Sequence, residues 1–185
     1  MSVRDQLLDA LRDPASVGDQ RMRGLIETLE RDCPADLLQR PEPLKGVWEL
    51  RWSSSRAPYL RVTPWIDNLQ VLDPAGGRAM NLLRPSGAFA ALGGIAVLAR
   101  IEIEGVQRVA VNFERGGWIG PPLGGTRLRW LRRVSQSYPA WLDITVLDEE
   151  LRLCRGQAGT LFALRRRQEL SPDDLFALAG TVQPC

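Results

Sequence analysis

The chain has 185 residues, 44% of them hydrophobic and 25% charged, with 24 Lys or Arg against 22 Asp or Glu. A chain of that length makes one domain and buries a core without help from metals or disulfides. It contains no histidine, which excludes His-based triads, an imidazole general base and every His-containing zinc site.

Residues 2–12 place Val3, Leu7, Leu8 and Leu11 at helical spacing, with Ser2 as a cap and Asp5 three residues on. Asp13-Pro14 and Gly18 end that helix. A second helix is expected over 19–32, with Met22, Leu25, Ile26 and Leu29 on one stripe and Cys33-Pro34 as its stop. Both stripes are narrow, so the helices should lie on something. From Leu44 the period changes to two: Trp48, Leu50 and Trp52 alternate with Val47, Glu49 and Arg51. Further strands are expected at about 58–71, 78–84, 91–104 and 106–114. In the last pair Ile101 and Ile103, then Val109, Val111 and Phe113, form the apolar face of a hairpin turning at Gly105. Residues 115–125 (RGGWIGPPLGG) are expected to be a loop. Three more strands follow at about 140–147, 150–155 and 160–166. Ser171-Pro172 starts a terminal helix that Gly180 ends. The chain is therefore mainly β, with about eight or nine antiparallel strands, two N-terminal helices and a short C-terminal helix. Residues 1–43 are the helical segment packed on the barrel, 44–167 the β unit, and 168–185 the helix and tail. A sandwich or a closed barrel suits this spacing, and closure removes exposed edges.

Net charge is −3 over residues 1–44, +8 over 45–167 and −3 over 168–185. A basic body could face an anionic surface, or be neutralised by its own acidic flanks. Arg127, Arg129, Arg132 and Arg133 interleave with Trp130. They suit an anionic lipid or isoprenoid diphosphate, or simply a solvated strand face. Trp118, Ile119 and Leu123 in the expected loop suit a lid or membrane-touching tip, or a tryptophan folded back on the barrel end. No nucleic-acid signature is present. Cys33, Cys154 and Cys185 lie far apart with no CxxC, so no metal or redox motif is expected, only reduced cysteines. The N-terminus has no apolar leader. The longest weakly polar stretch, 86–99, is too short to span a bilayer. A cytoplasmic protein, soluble or peripheral to a membrane, is expected.

Two stretches go further. One is Leu44-Lys45-Gly46-Val47-Trp48-Glu49-Leu50-Arg51-Trp52-Ser53-Ser54. The other runs from Leu142-Asp143 through Asp148-Glu149-Glu150-Leu151-Arg152-Leu153-Cys154-Arg155-Gly156-Gln157-Ala158-Gly159 to Phe162. Together they resemble the PAP/fibrillin family, the plastid-lipid-associated proteins of chloroplasts and cyanobacteria, in a cyanobacterial-type member. The lead-in Gly24–Glu30 before Pro34 is also similar to that family. Trp52-Ser53 and Thr145-Val146 stand where the family commonly has Tyr-Thr and Thr-Tyr, and the second removes a polar ring. The resemblance implies a lipocalin-like barrel and association with lipid globules or thylakoid membranes. It also implies carriage or stabilisation of lipids, prenylquinones or carotenoids, and brings no catalytic residues.

Gly46 and Trp48 are similar to the G-x-W of lipocalin-type barrels, where the indole closes the narrow end under a basic residue. Arg152 and Arg155 are the candidates here, with Arg155 favoured beside the Gly156 turn. Gly159 belongs to the same turn, and Asp148 should cap the preceding turn or pair with an Arg. The expected inward set is Trp48, Leu50, Trp52, Ile101, Ile103, Val109, Val111, Phe113, Leu142, Ile144, Leu151, Leu153, Phe162 and Leu164. A one-residue register error inverts such a set. These residues either fill the barrel or line a cavity for an apolar ligand. The function expected first is non-enzymatic binding or carriage of a hydrophobic small molecule, with no cofactor and no metal. The alternatives are a filled barrel that docks a membrane or a partner enzyme of isoprenoid or quinone metabolism, and a bilin lyase-like barrel.

Overall fold

The computed structural model describes residues 1–55, 57–60, 62–135 and 140–180, with residue 59 described by its backbone only. Two helices, α1 (Val3–Ala10) and α2 (Asp19–Asp32), precede nine strands: β1 (Gly46–Ser53), β2 (Ile66–Asp73), β3 (Arg78–Pro85), β4 (Gly94–Ile103), β5 (Arg108–Leu123), β6 (Thr126–Arg133), β7 (Ala140–Leu147), β8 (Leu151–Gly156) and β9 (Leu161–Arg166). Helix α3 (Pro172–Ala179) follows. Every strand pairing is antiparallel. The order β4-β3-β2-β1-β9-β8-β7-β5, with β4 also paired to β5, closes a ring, and β6 is an outer strand on the far half of β5. The mainly β, lipocalin-like barrel expected from the sequence is the fold observed.

Helix α1 opens with a capping box in which Ser2 Oγ accepts from the Asp5 amide at 3.1 Å and Asp5 returns the bond to the Ser2 amide. The apolar stripes of α1 and α2 pack on the outside of β7–β9, burying Leu7, Leu11, Met22 and Ile26 against Val146, Leu151, Leu153 and Ala163. Helix α3 covers the other outer side, where Leu175 and Phe176 meet Val47, Val71, Met80 and Leu98. Between them the barrel interior forms its own apolar cluster. The segment before β1 covers one end. The Ala35 amide donates to Thr145 O at 2.9 Å and the Leu37 amide to Val106 O at 2.7 Å, with Leu37 and Leu44 buried.

Several expectations are corrected. Trp52 does not face inward. The β1–β9 register shifts between Leu50 and Trp52, and this bulge turns the indole outward against α1 and α2. Leu151 and Leu153 also face outward, because the helices make the outer surface of β8 as apolar as its inner one. The strand expected over 58–71 begins only at Ile66. A 3-10 turn occupies Pro58–Leu60, and Pro58 and Pro64 supply no amide to a ladder. Residues 115–123 are not a loop but the second half of β5, paired with both β4 and β6. There the chain runs too close to its neighbours for a side chain: a Cβ on Gly117, at φ +154°, would lie 2.0 Å from Trp130 O. The prolines fall beyond the last β4 pair, Gly94–Ile119, where no partner on that side needs their amide.

Candidate functional site

The ring has unlike ends. At one, Trp48 is fully buried, its Nε1 donating to Leu44 O at 3.1 Å. The Arg166 guanidinium lies 4.4 Å from the indole centroid. It donates from Nε to Glu149 O at 2.7 Å, from Nη1 to Lys45 O at 2.6 Å and from Nη2 to Pro43 O. Gly46 is needed beneath it, since a Cβ there would fall 2.2 Å from Arg166 Nη1. Burial pulls the Arg166 guanidinium below its ordinary pKa, against the opposing pull of Glu149 and Asp148. Arg166, which the sequence reading missed, is therefore the arginine that seals this end. It stands two and four residues from the inward-facing Leu164 and Phe162, the periodicity that could have found it.

At the other end a cavity of about 360 Å³ opens into the barrel, within the size range of small-molecule sites (roughly 300–1,000 Å³). Ile101, Val109, Val111, Phe113, Leu142 and Phe162 line it, while Ser55, Gln157 and Thr160 stand at its mouth. Trp48, Leu50 and Ile103 belong to the same apolar cluster. No Asp or Glu is among the lining residues, and Arg152 is the one charged group there among the described residues. A larger hollow of about 1120 Å³ lies outside the barrel beside α3. Among its charged residues Arg100 pairs with Glu114 at 2.6 Å, Arg78 pairs with Asp173 at 3.5 Å, and Arg129 donates to carbonyls of α3. It is a solvated cleft, and the lumen is the candidate site.

Arg152 is 0% exposed. It lies 5.2 Å from the Trp48 centroid on the lumen side, and its Nη2 donates to Gln70 Oε1. Its Nε and Nη1 have no hydrogen-bond partner. Burial lowers its pKa, with the neighbouring Cys154 thiol acting the other way. Burial pushes that thiol up in turn, against the opposing pull of Arg152.

The other motif residues hold the wall. Arg155, favoured as the indole partner, points outward instead. Its place in β8 is opposite in parity to Arg152, and it pairs with Glu30 of α2 through Nε at 2.9 Å and through Nη2. The Glu30 carboxylate raises the Arg155 pKa against the cost of burial. Asp148 both caps its turn and pairs with an arginine. It accepts from the Glu150 and Leu151 amides at 2.7 and 2.8 Å and from Arg4 Nε at 2.7 Å. Partial burial alone would raise its carboxyl, but Arg4 and the two amides outweigh that and hold it below the usual carboxylate range. Gly156 lines the mouth and Gly159 completes the β8–β9 turn.

Above the mouth the β4–β5–β6 wall continues past the ring. Leu83, Ile95, Trp118 and Trp130 stand directly opposite one another across four strands on the face that continues the lumen. Ile95, Trp118 and Trp130 are exposed. Trp65, Phe89 and Leu92, in the segments joining β1 to β2 and β3 to β4, are exposed at the same end. Of the four arginines here, Arg129 donates to Leu178 O and Ala177 O at the C-terminus of α3, and Arg127 donates to Gly120 O. Arg132 lies over Trp130 at 4.8 Å, and Arg133 is exposed. Cys33 is exposed, Cys154 is in the barrel, and Cys185 lies outside the described residues.

Among the described residues no group of His, Cys, Asp or Glu could hold a metal, and no helix is long and apolar enough to cross a membrane. Comparison with curated proteins finds no match. The family model described as PAP_fibrillin matches residues 11–165. That span takes in the tryptophan strand and the late strands bearing Arg152, Arg155 and Gly156, and stops one residue short of Arg166. The chain belongs to the PAP/fibrillin family, whose membership fits a lipid-associated function.

Proposed function

We propose that this protein is a non-enzymatic carrier that holds a hydrophobic small molecule (a lipid, prenylquinone or carotenoid-like compound) in the barrel while its open end rests on a photosynthetic membrane or lipid droplet. The observation that carries this reading is the apolar lumen of about 360 Å³ opening at the end where Trp65, Phe89, Ile95, Trp118 and Trp130 are exposed. Burial in such a lumen contributes about 25 cal/mol per Å² of apolar ligand surface, offset by the cost of association. No catalytic group is needed for that. The aromatic rim beside Arg132 and Arg133 suits the boundary between anionic headgroups and acyl chains. The open volume favours a carrier over a filled-barrel adaptor.

The test joins lipid mass spectrometry of the purified protein with vesicle sedimentation. A co-purifying apolar molecule is expected, reduced in Ala99→Phe, which fills the lumen. Binding to phosphatidylglycerol vesicles but not phosphatidylcholine vesicles is expected, weakened by Trp118→Ser with Trp130→Ser. An empty protein that takes up no apolar probe returns the chain to the adaptor reading.

A further inference from the structure

Two arginines flank the Trp48 indole, and only one has the bonds its position requires. Arg166 donates to three backbone carbonyls and seals the end. Arg152, on the lumen side, has one hydrogen bond to Gln70, leaves Nε and Nη1 unpaired, and forms no ion pair among the described residues. An unpaired buried charge costs several kcal/mol, so a fold that needed only to close around Trp48 would place an apolar side chain there. Arg152 is the one charged side chain among the described residues lining that cavity, with Gln70 and Asn81 as polar neighbours, and a guanidinium forms charge-assisted hydrogen bonds with a carboxylate.

We propose that the lumen takes a single-chain amphiphile head-first, its carboxylate pairing with Arg152 and its tail running up past Ile101, Val111 and Phe113 to the mouth. The proposal rests on the lumen being the ligand site and adds the chemical class of the ligand. Arg152 lies four residues along β8 from Gly156 at the mouth, about 14 Å at ~3.4 Å per residue. That depth accommodates a chain of dodecyl length with its end emerging among the rim tryptophans.

Calorimetric titration of the full chain with dodecanoate, dodecanol and methyl dodecanoate tests this. Wild type is expected to bind the acid at least about tenfold more tightly than the alcohol or ester, a gap of ~1.4 kcal/mol. Arg152→Met should weaken the acid and leave the alcohol unchanged. Gln70→Glu sets a carboxylate against Arg152 without removing it, and should erase the preference in the same way, which covers the case in which Arg152→Met does not fold. Equal affinity for acid and alcohol in wild type, or an acid preference that survives both substitutions, overturns the anchor and leaves the lumen as a neutral-lipid site. Failure of all three probes to bind wild type overturns the lumen reading and the anchor together.

Discussion

Replacing Arg166 with methionine isolates what holds the sealed end. The substitution keeps the aliphatic contact with Trp48 and removes the three donors to Glu149, Lys45 and Pro43 carbonyls. Arg166 retains 14% side-chain exposure, so water can take over part of that bonding. The Pro43 residue is buried, and its carbonyl has the least access to a substitute. Hydrogen bonds to a charged group contribute about 1.5–3 kcal/mol each when shielded and less when water replaces them, so the expected loss is about 3 kcal/mol. The cation–π contact at 4.4 Å adds to it by about 0.5–2 kcal/mol. For a domain of this size the combined loss of about 3.5–5 kcal/mol lowers Tm by roughly 7–20 °C. Urea unfolding followed by tryptophan fluorescence, with calorimetry as a second probe, measures it. Arg152→Met is the control, since removing a buried guanidinium without a counter-charge is expected to leave Tm unchanged or raise it. If Arg166→Met loses less than about 1 kcal/mol, or Arg152→Met loses as much as Arg166→Met, the division of labour between the two arginines is wrong.

Two further outcomes follow from the wall. Trp52→Ala should cost about 3–5 kcal/mol by opening a cavity beneath α1 and α2. Hydrogen exchange should speed up in those helices while lumen uptake of an apolar probe stays near wild type; a loss of uptake matching that of Ala99→Phe would place Trp52 at the lumen after all. Asp148→Asn should cost about 1 kcal/mol at neutral pH, because the Asp148 carboxylate is 34% exposed and its pairing with Arg4 is partly screened. Its folded pKa is depressed, so its contribution is present above the unfolded carboxylate value of about 3.9 and disappears as pH falls through the folded one. The stability gap between wild type and variant, measured by urea titration at stepped pH, should therefore close in acid; a gap independent of pH would mean the charge is not what matters.

The helices were legible because each buries one apolar stripe against the outer wall of the barrel and leaves the other side polar, and the inward faces of β4 and β5 were legible where those strands bury one face in the lumen and leave the other polar or half-wet. Ile101, Ile103, Val109, Val111 and Phe113 alternate with Arg100, Glu102, Arg108 and Asn112 for that reason. The rule fails on β8. There α1 and α2 bury the outer face, Leu151 and Leu153 are apolar because they meet helices, and the inward residues are Arg152 and Cys154. Placing the apolar residues inside inverted the strand, and with it the choice between Arg152 and Arg155. Trp52 failed for a different reason: a one-residue bulge leaves no mark in a period-two pattern. The extension of β5 failed because its glycines are demanded by close strands, which in a bare sequence look the same as a flexible loop.

The same double coverage explains why the barrel can keep its interior open. A barrel whose only core is its lumen must fill that lumen to native density or lose stability with every void. Here two further apolar clusters lie outside the ring, one under α1 and α2 and one under α3. They bury the outward residues of β1, β2, β3, β4, β7, β8 and β9, so the wall is held from its outer surface. The sealed end adds Trp48, Leu37, Leu44 and the carbonyl-bonded Arg166. Stability is thus concentrated in the wall and the floor, and the space between Arg152 and the mouth need not be filled for the ring to hold. The exposed aromatics Trp65, Phe89, Trp118 and Trp130 stand at the far end, outside both helix-covered clusters.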